Sequence, residues 1–347
     1  MMDASLLAEK SLGGEVLSRE EARSVLRWPD AGILDLVGQT YRVRQRFFGK
    51  RVKLNFLANI KSGLCPEDCH YCSQSKDSKA PIAKYRLMEP SDVLKAAENA
   101  VRNKAARLCL VASGRGPSDR DVTQVAAAVE AVKRLHPGLE ICCCLGLLSD
   151  GQAARLKGSG VHAYNHNLNT SERHYGDICE THTFSDRLGT VEAAKSGGLS
   201  ACSGALIGMG ETEDDVLDVA FKLRELGVDS IPVNFLIPIE GTPLAGVEEL
   251  SPLRCLKVLC LFRLLCPRSE LRIAGGREIH LRSLQPLGLF VANSIFIGDY
   301  LTTEGQAPSA DIEMIRDMGF ELVGAGESSP AGSPRVADRV VLLSEKR

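Results

Sequence analysis

Along most of the chain, short runs dense in Val, Ile and Leu alternate with longer stretches in which apolar residues recur at i, i+3, i+4 and i+7. The short runs predict strands at 54–60, 107–113, 140–145, 162–168, 199–207, 230–238, 271–274 and 293–298. The periodic stretches predict amphipathic helices, clearest at 90–102, 119–135, 184–194, 213–226 and 253–265. Ser91, Ser149 with Asp150, and Thr212 mark helix starts as side-chain caps. Gly63, Gly114, Gly146, Gly208 and Gly275 fall just past strand ends, where the backbone must turn sharply. Eight strand–helix units predict an α/β fold, a (β/α)8 TIM-type barrel with an N-terminal helical extension. The third and seventh strands carry the weakest pattern, which leaves a partial barrel as the alternative. The extension is expected over 1–50, with Ser18-Arg19-Glu20-Glu21 as a capped start, and the barrel over 51–324. A Gly-, Ser- and Pro-rich tail, expected to be flexible, covers 325–347.

Composition narrows the function classes. A hydrophobic share of 44% and a charged share of 25% fit a soluble chain with a sizeable core. The net charge of −2 gives no electrostatic reason to expect nucleic acid or a membrane surface, and 5% aromatics argue against base-stacking platforms. From Met1 to Gly14 there is no apolar run of the kind a signal peptide carries, and no stretch approaches the roughly 20 apolar residues of a membrane span. Twelve cysteines in such a chain read as metal ligands and buried thiols in a reducing, cytoplasmic compartment.

Three of those cysteines share one loop, Cys65-Pro66-Glu67-Asp68-Cys69-His70-Tyr71-Cys72, with spacing C-x3-C-x2-C and no further cysteine until Cys109. Three thiolates hold three irons of a cubane cluster and leave the fourth iron open to a bound ligand. The competing reading is a structural zinc loop, but zinc wants four ligands, usually in paired hooks, and His70 is the only extra donor nearby. A second set lies on predicted strands: Cys109, Cys142, Cys202 and Arg272. Alternation puts Cys142 and Cys144 on one strand face and Cys143 on the other. Inward residues of a closed barrel converge on its axis, yet a buried free cysteine is also an ordinary core residue. Asn165, Asn167 and Asn169 alternate on the fourth strand and share a face.

The cluster loop, with aromatic Tyr71 just before its last cysteine, resembles the radical SAM superfamily. Gly204-Ala205-Leu206-Ile207-Gly208-Met209-Gly210-Glu211 is similar to that superfamily's G-x-I-x-G-x-x-E segment, with Leu206 in place of isoleucine. The loop, Tyr164-Asn165-His166-Asn167-Leu168-Asn169-Thr170, Cys202-Ser203-Gly204, Arg272-Ile273-Ala274-Gly275-Gly276-Arg277-Glu278 and Val291-Ala292-Asn293-Ser294-Ile295-Phe296 together resemble the biotin synthase family over about residues 45–320.

The resemblance implies a 4Fe–4S cluster on Cys65, Cys69 and Cys72, with S-adenosylmethionine on the fourth iron. Tyr71, Ala112, Ser113, Asn167, Asn169, Arg187, Ile207 and Glu211 are implied around that cofactor. It also implies a 2Fe–2S cluster on Cys109, Cys142, Cys202 and Arg272, and contacts from Asn165, Asn167 and Asn234 to the substrate dethiobiotin. The implied reaction is radical sulfur insertion: a 5′-deoxyadenosyl radical abstracts hydrogen and the 2Fe–2S cluster donates the sulfur that makes biotin. A flavodoxin or ferredoxin electron donor and a homodimer are implied as partners. Cys143 and Cys144, beside Cys142, leave the strand-three ligand open to a register shift, while Cys179, Cys255, Cys260 and Cys266 match no ligand motif and read as structural. Another radical SAM enzyme with a different substrate, and a non-catalytic metal-binding module, are the competing readings.

Overall fold

All eight predicted strands form, and they close on one another. The computed structural model describes residues 3–248 and 250–326. Helices α1 (Ala4–Gly13), α2 (Arg19–Leu26) and α3 (Ile33–Phe48) lead into β1 (Arg51–Lys61), α4 (Pro90–Arg102), β2 (Arg107–Ala112), α5 (Asp119–Leu135) and β3 (Glu140–Cys144). Then come α6 (Asp150–Gly158), β4 (Ala163–Asn165), α7 (Glu172–Tyr175), α8 (Phe184–Ser196), β5 (Ser200–Cys202), β6 (Ala205–Ile207), α9 (Glu213–Glu225) and β7 (Ser230–Phe235). The last elements are α10 (Pro252–Leu265), β8 (Glu270–Ile273), α11 (Arg277–Leu281), α12 (Gln285–Leu289), β9 (Ser294–Ile297), α13 (Pro308–Asp317) and β10 (Glu321–Val323). The parallel order β1-β2-β3-β4-β5-β7-β8-β9 returns to β1 through Lys53 paired with Ser294, so the ring is complete and the partial-barrel alternative falls. β10 adds to β1 outside the ring, pairing Arg51 with Glu321.

The run expected as one strand over 199–207 is two. A Cβ at Gly204 would meet the Pro232 carbonyl oxygen at 1.8 Å, a close approach only glycine permits. The chain steps inward there, β6 pairs with β7, and Ala205 bridges to Asn169. Ser91 does not cap α4. Pro90 takes the first turn, where its missing N–H costs nothing, and Glu89 holds the cap position without a side-chain bond. Ser18, Ser149 and Thr212 do cap, each in a reciprocal capping box. Past β8 the left-handed turn is made by Gly276, φ 82°, rather than by Gly275.

α1, α2 and α3 pack over α10, which explains why α10 is apolar on every side: it is buried between the barrel and these helices. Cys255 and Cys260 belong to that packing, with burial pushing both thiols up to about 12. From 327 onward the expected tail lies outside the described residues. Among the described residues no helix is long and apolar enough to cross a membrane.

The end of the barrel where the strands begin is closed by charge. Lys53 Nζ lies 2.5 Å from Glu140 Oε2, Arg107 Nη2 lies 2.8 Å from the same oxygen, and Arg107 Nη1 lies 3.5 Å from Glu270 Oε1. Arg272 donates to Glu270 as well, and Ser294 Oγ donates to Glu270 Oε1 at 3.0 Å. Burial opposes ionisation of Glu270, but Arg107, Lys53 and Arg272 outweigh it and hold the carboxyl well below the usual carboxylate range. Such a group adds stability above its unfolded-state pKa of about 4.3 and loses it as pH falls toward the folded value. Glu270→Gln should therefore cost about 3–5 kcal/mol at pH 7, because it leaves buried cations underpaired. Denaturant midpoints measured from pH 7 down to pH 3 should also fall less steeply in the variant than in the wild type.

Candidate active site

The site occupies the opposite end, where the strands finish, around a cavity of about 380 Å³. Cys65, Cys69 and Cys72 all line it, carried by the loop after β1. That loop is fixed at its root by Ser113 Oγ donating to Gly63 O at 2.5 Å and by Gly63 N donating to Gln74 Oε1 at 3.0 Å. The spacer residues of the motif clamp it from the side. Asp68 Oδ1 accepts from Cys179 Sγ at 3.1 Å, from the Glu180 and Thr181 amides at 3.1 and 3.2 Å, and from Thr181 Oγ1 at 2.9 Å. Glu67 Oε2 accepts from Thr181 Oγ1 at 2.6 Å. Burial opposes the charge on Asp68, but these donors hold its carboxyl well below the usual range. Burial pushes the Cys72 thiol up to about 11.

Behind the cysteines runs a polar wall. Tyr71 Oη accepts from Asn169 Nδ2 at 2.6 Å and from Arg187 Nη2 at 3.3 Å. Arg187 also donates to the Asn167 carbonyl at 2.8 Å, to Tyr175 Oη, and to His182 Nε2 at 3.3 Å. Asn169 reaches Tyr71 because it has left the strand: β4 ends at Asn165, and Asn169 turns with φ 71°, a left-handed conformation asparagine tolerates. Asn165 Nδ2 lies 3.0 Å from Asn167 Oδ1 and 3.2 Å from Cys202 Sγ, linking the mouth to the deeper layer. Asn234 is locked by donating to Ala205 O at 3.3 Å and accepting from Gly275 N at 3.1 Å.

Ala112, Ser113 and the asparagines at 165, 167, 169 and 234 line the cavity with Tyr71 and Arg187. Ile207 and Glu211 do not. Ile207 points into the packed core, so Leu206 is the wall residue of that segment. The Glu211 carboxylate accepts from the Gly208 and Met209 amides at 2.8 and 2.7 Å and shapes the turn.

Below the cavity, Cys109, Cys142 and Cys202 pack together with Ala163, Ala274 and Phe296. Cys109 sits beside Cys142 in register, and Arg272 Nη1 lies 3.7 Å from Cys202 Sγ with its guanidinium 5.0 Å from the Phe296 ring centroid. Hydrogen bonding to its two neighbours and burial push the central Cys142 thiol up. The Cys142 hydrogen bond, opposed by burial and aided by Arg272 and Arg107, brings Cys109 and Cys202 down. Cys143 faces the helices in the outer core, and Cys144 returns to the inside one level higher, in the cavity wall.

Three groups here escape a reading of the sequence alone. Cys179, expected to be structural, has its Sγ 3.8 Å from Cys69 Sγ, and His182 Nε2 lies 3.6 Å from Cys69 Sγ. The available signal is their Cys-x2-His spacing. His166, also in the wall, keeps Nε2 buried without a hydrogen-bond partner among the described residues.

Residues 59–233 match the model of the radical SAM superfamily, and residues 232–321 match the biotin and thiamin synthesis associated domain. A biotin synthase of Streptomyces avermitilis is 58% identical over 321 residues, covering 92% of this chain and 83% of that one. A biotin synthase 2 of Frankia casuarinae is 54% identical, covering 96% and 94%. Among solved structures, methylornithine synthase superposes with a TM-score of 0.80 at 21% identity over 91% of this chain and 97% of that one, a likeness of fold alone. Eight closed staves, thiols at the mouth and again beneath the cavity, and sequence identity sustained across both regions lead to one assignment: the chain belongs to the biotin synthase family of the radical SAM superfamily.

Proposed function

We propose that this chain inserts sulfur into dethiobiotin to make biotin, with Cys65, Cys69 and Cys72 holding a 4Fe–4S cluster and Cys109, Cys142, Cys202 and Arg272 holding a 2Fe–2S cluster. The observation that carries the reading is two thiol triads at different depths of one barrel, joined by the Asn165 amide, with a cavity above the deeper one. The donor sets fit these groups. Three thiols at the mouth leave a cubane one open corner. In the deeper layer, ionised Cys109 and Cys202 face an arginine whose charge offsets theirs. When bound, the clusters and S-adenosylmethionine supply the electron, the radical and the transferred sulfur.

The chain's own residues bind, orient and exclude water. Removing a hydrogen from an unactivated carbon demands a dry, rigid site, because a stray solvent or side-chain hydrogen would quench the chemistry. Leu57, Val111, Leu206, Phe235 and Phe296 give the cavity an apolar lining that suits the hydrocarbon part of dethiobiotin. Asn234 uses one donor and one acceptor on the backbone and keeps one of each for a cyclic urea. Tyr71, fixed by Asn169 and Arg187, presents a ring face toward the cofactor side, and the Asn165–Asn167 pair spans the gap between cofactor and sulfur source. Arg272 is oriented by Glu270 and Ser294, so its charge is aimed at Cys202 before any cluster arrives.

Anaerobically reconstituted protein, given S-adenosylmethionine, dethiobiotin and a reductant, should release 5′-deoxyadenosine together with biotin. Deoxyadenosine without biotin would move the assignment to a different substrate. Cys142→Ala should abolish the 2Fe–2S absorption while the mouth cluster still binds S-adenosylmethionine, and Cys143→Ala should leave both clusters in place. Loss of the deeper cluster in Cys143→Ala and its retention in Cys142→Ala would overturn the ligand assignment.

A further inference from the structure

We propose that Cys69, Cys179 and His182 form a mononuclear site for a divalent thiophilic metal ion, zinc or ferrous iron, filled only in protein that lacks the mouth cluster. The exclusivity rests on the reading of Cys69 as a cluster ligand; the metal site itself does not.

All three side chains are buried, and one ligand atom from each lies within 4.8 Å of the others. The geometry is closer than that limit demands. For Zn–S near 2.3 Å and Zn–N near 2.0–2.1 Å at tetrahedral angles, the S···S edge is about 3.8 Å and the S···N edge about 3.6 Å. The Cys69 and Cys179 sulfurs are 3.8 Å apart, and His182 Nε2 lies 3.6 Å from the first and 3.7 Å from the second. Three vertices of a tetrahedron are therefore set before any ion binds, and the fourth is left to water.

The imidazole is also in the right tautomer. Arg187 only donates, and its Nη2 is 3.3 Å from His182 Nε2, so Nε2 carries the lone pair and Nδ1 the proton. Nδ1 lies 3.0 Å from Tyr175 Oη and 3.1 Å from Cys179 Sγ. A ligating histidine whose other ring nitrogen is held by a hydrogen-bond partner is the usual arrangement around a bound metal. On binding, Arg187 gives up one contact and keeps Tyr175, Tyr71 and the Asn167 carbonyl. The two thiols release their protons to solvent, and the two thiolates balance the dication. Asp68 loses the Cys179 donor but keeps the Glu180 and Thr181 amides and the Thr181 hydroxyl. Cys65 and Cys72 take no part, so the site differs from the C-x3-C-x2-C loop in two of its three ligands.

The test uses full-length Cys142→Ala protein, which lacks the deeper thiol triad, stripped of iron anaerobically and titrated with Co²⁺. The expected result is one equivalent, with a thiolate-to-cobalt charge-transfer band and a cobalt-edge absorption spectrum giving two sulfur and otherwise nitrogen or oxygen neighbours. Adding Cys179→Ser or His182→Ala should remove that equivalent, Tyr175→Phe should weaken it about 10-fold, and Cys65→Ser should leave it unchanged. Assembly of the 4Fe–4S cluster in the Cys179→Ser and His182→Ala proteins shows that they fold. Zn²⁺ added first should slow that assembly in the parent but not in these two. An all-sulfur shell, or a Co²⁺ equivalent lost in Cys65→Ser and kept in Cys179→Ser, would overturn the site. Cluster assembly in Cys69→Ser would instead overturn the exclusivity and the mouth-ligand assignment, leaving the metal site intact.

Discussion

Two buried carboxylates held among three cations at the foot of the barrel govern how the layers above them are set. Lys53, Arg107 and Arg272 come from three different strands, and Glu140 and Glu270 tie those strands together where they enter the ring. An ion network taken out of water repays its desolvation only when nearly every charge is paired and hydrogen-bonded, and Ser294 and the neighbouring strands supply that here. The surplus positive charge faces upward, into the layer of Cys109, Cys142 and Cys202. A low-dielectric interior with a fixed cation is where buried thiols can ionise, so the foot of the fold prepares the chemistry of its middle.

The mouth is organised by an opposite device. There the charges that matter are the carboxylates of Glu67 and Asp68, and their partners are backbone amides and hydroxyls of the segment after α7. The spacer residues of the cysteine motif thereby hold the loop against 179–182, so that Cys69, Tyr71 and Cys72 face the cavity. Arg187 joins this clamp to the polar wall through Tyr71, His182 and the Asn167 carbonyl. The two ends then meet at Asn165, whose amide touches both Asn167 and Cys202.

Much of this was legible in residue order. Strand alternation and helical periodicity gave the eight staves, because inward and outward positions in a barrel differ in polarity at a fixed spacing. The mouth cysteines were legible because metal ligands on one loop must be close in sequence. Alternation also fixed that Cys142 and Cys144 point one way and Cys143 the other, but not their heights: ring closure put Cys142 among the deeper thiols and Cys144 in the cavity wall. The kinked fifth stave stayed hidden because a glycine's need for space depends on a carbonyl contributed by another strand.

Residue order alone thus settled local matters: the elements, their succession, the loop that gathers three thiols, and the family pattern of polar residues around them. Adjacency between residues far apart in the chain came only with the closed barrel. Cys179 and His182 lie more than a hundred residues from Cys69, yet their ligand atoms sit within 4 Å of its sulfur. Glu270 closes a floor with Lys53 from the far side of the ring. Periodicity encodes which face a side chain takes, whereas the partner it meets there is set by how eight strands twist and close, and no single segment carries that information.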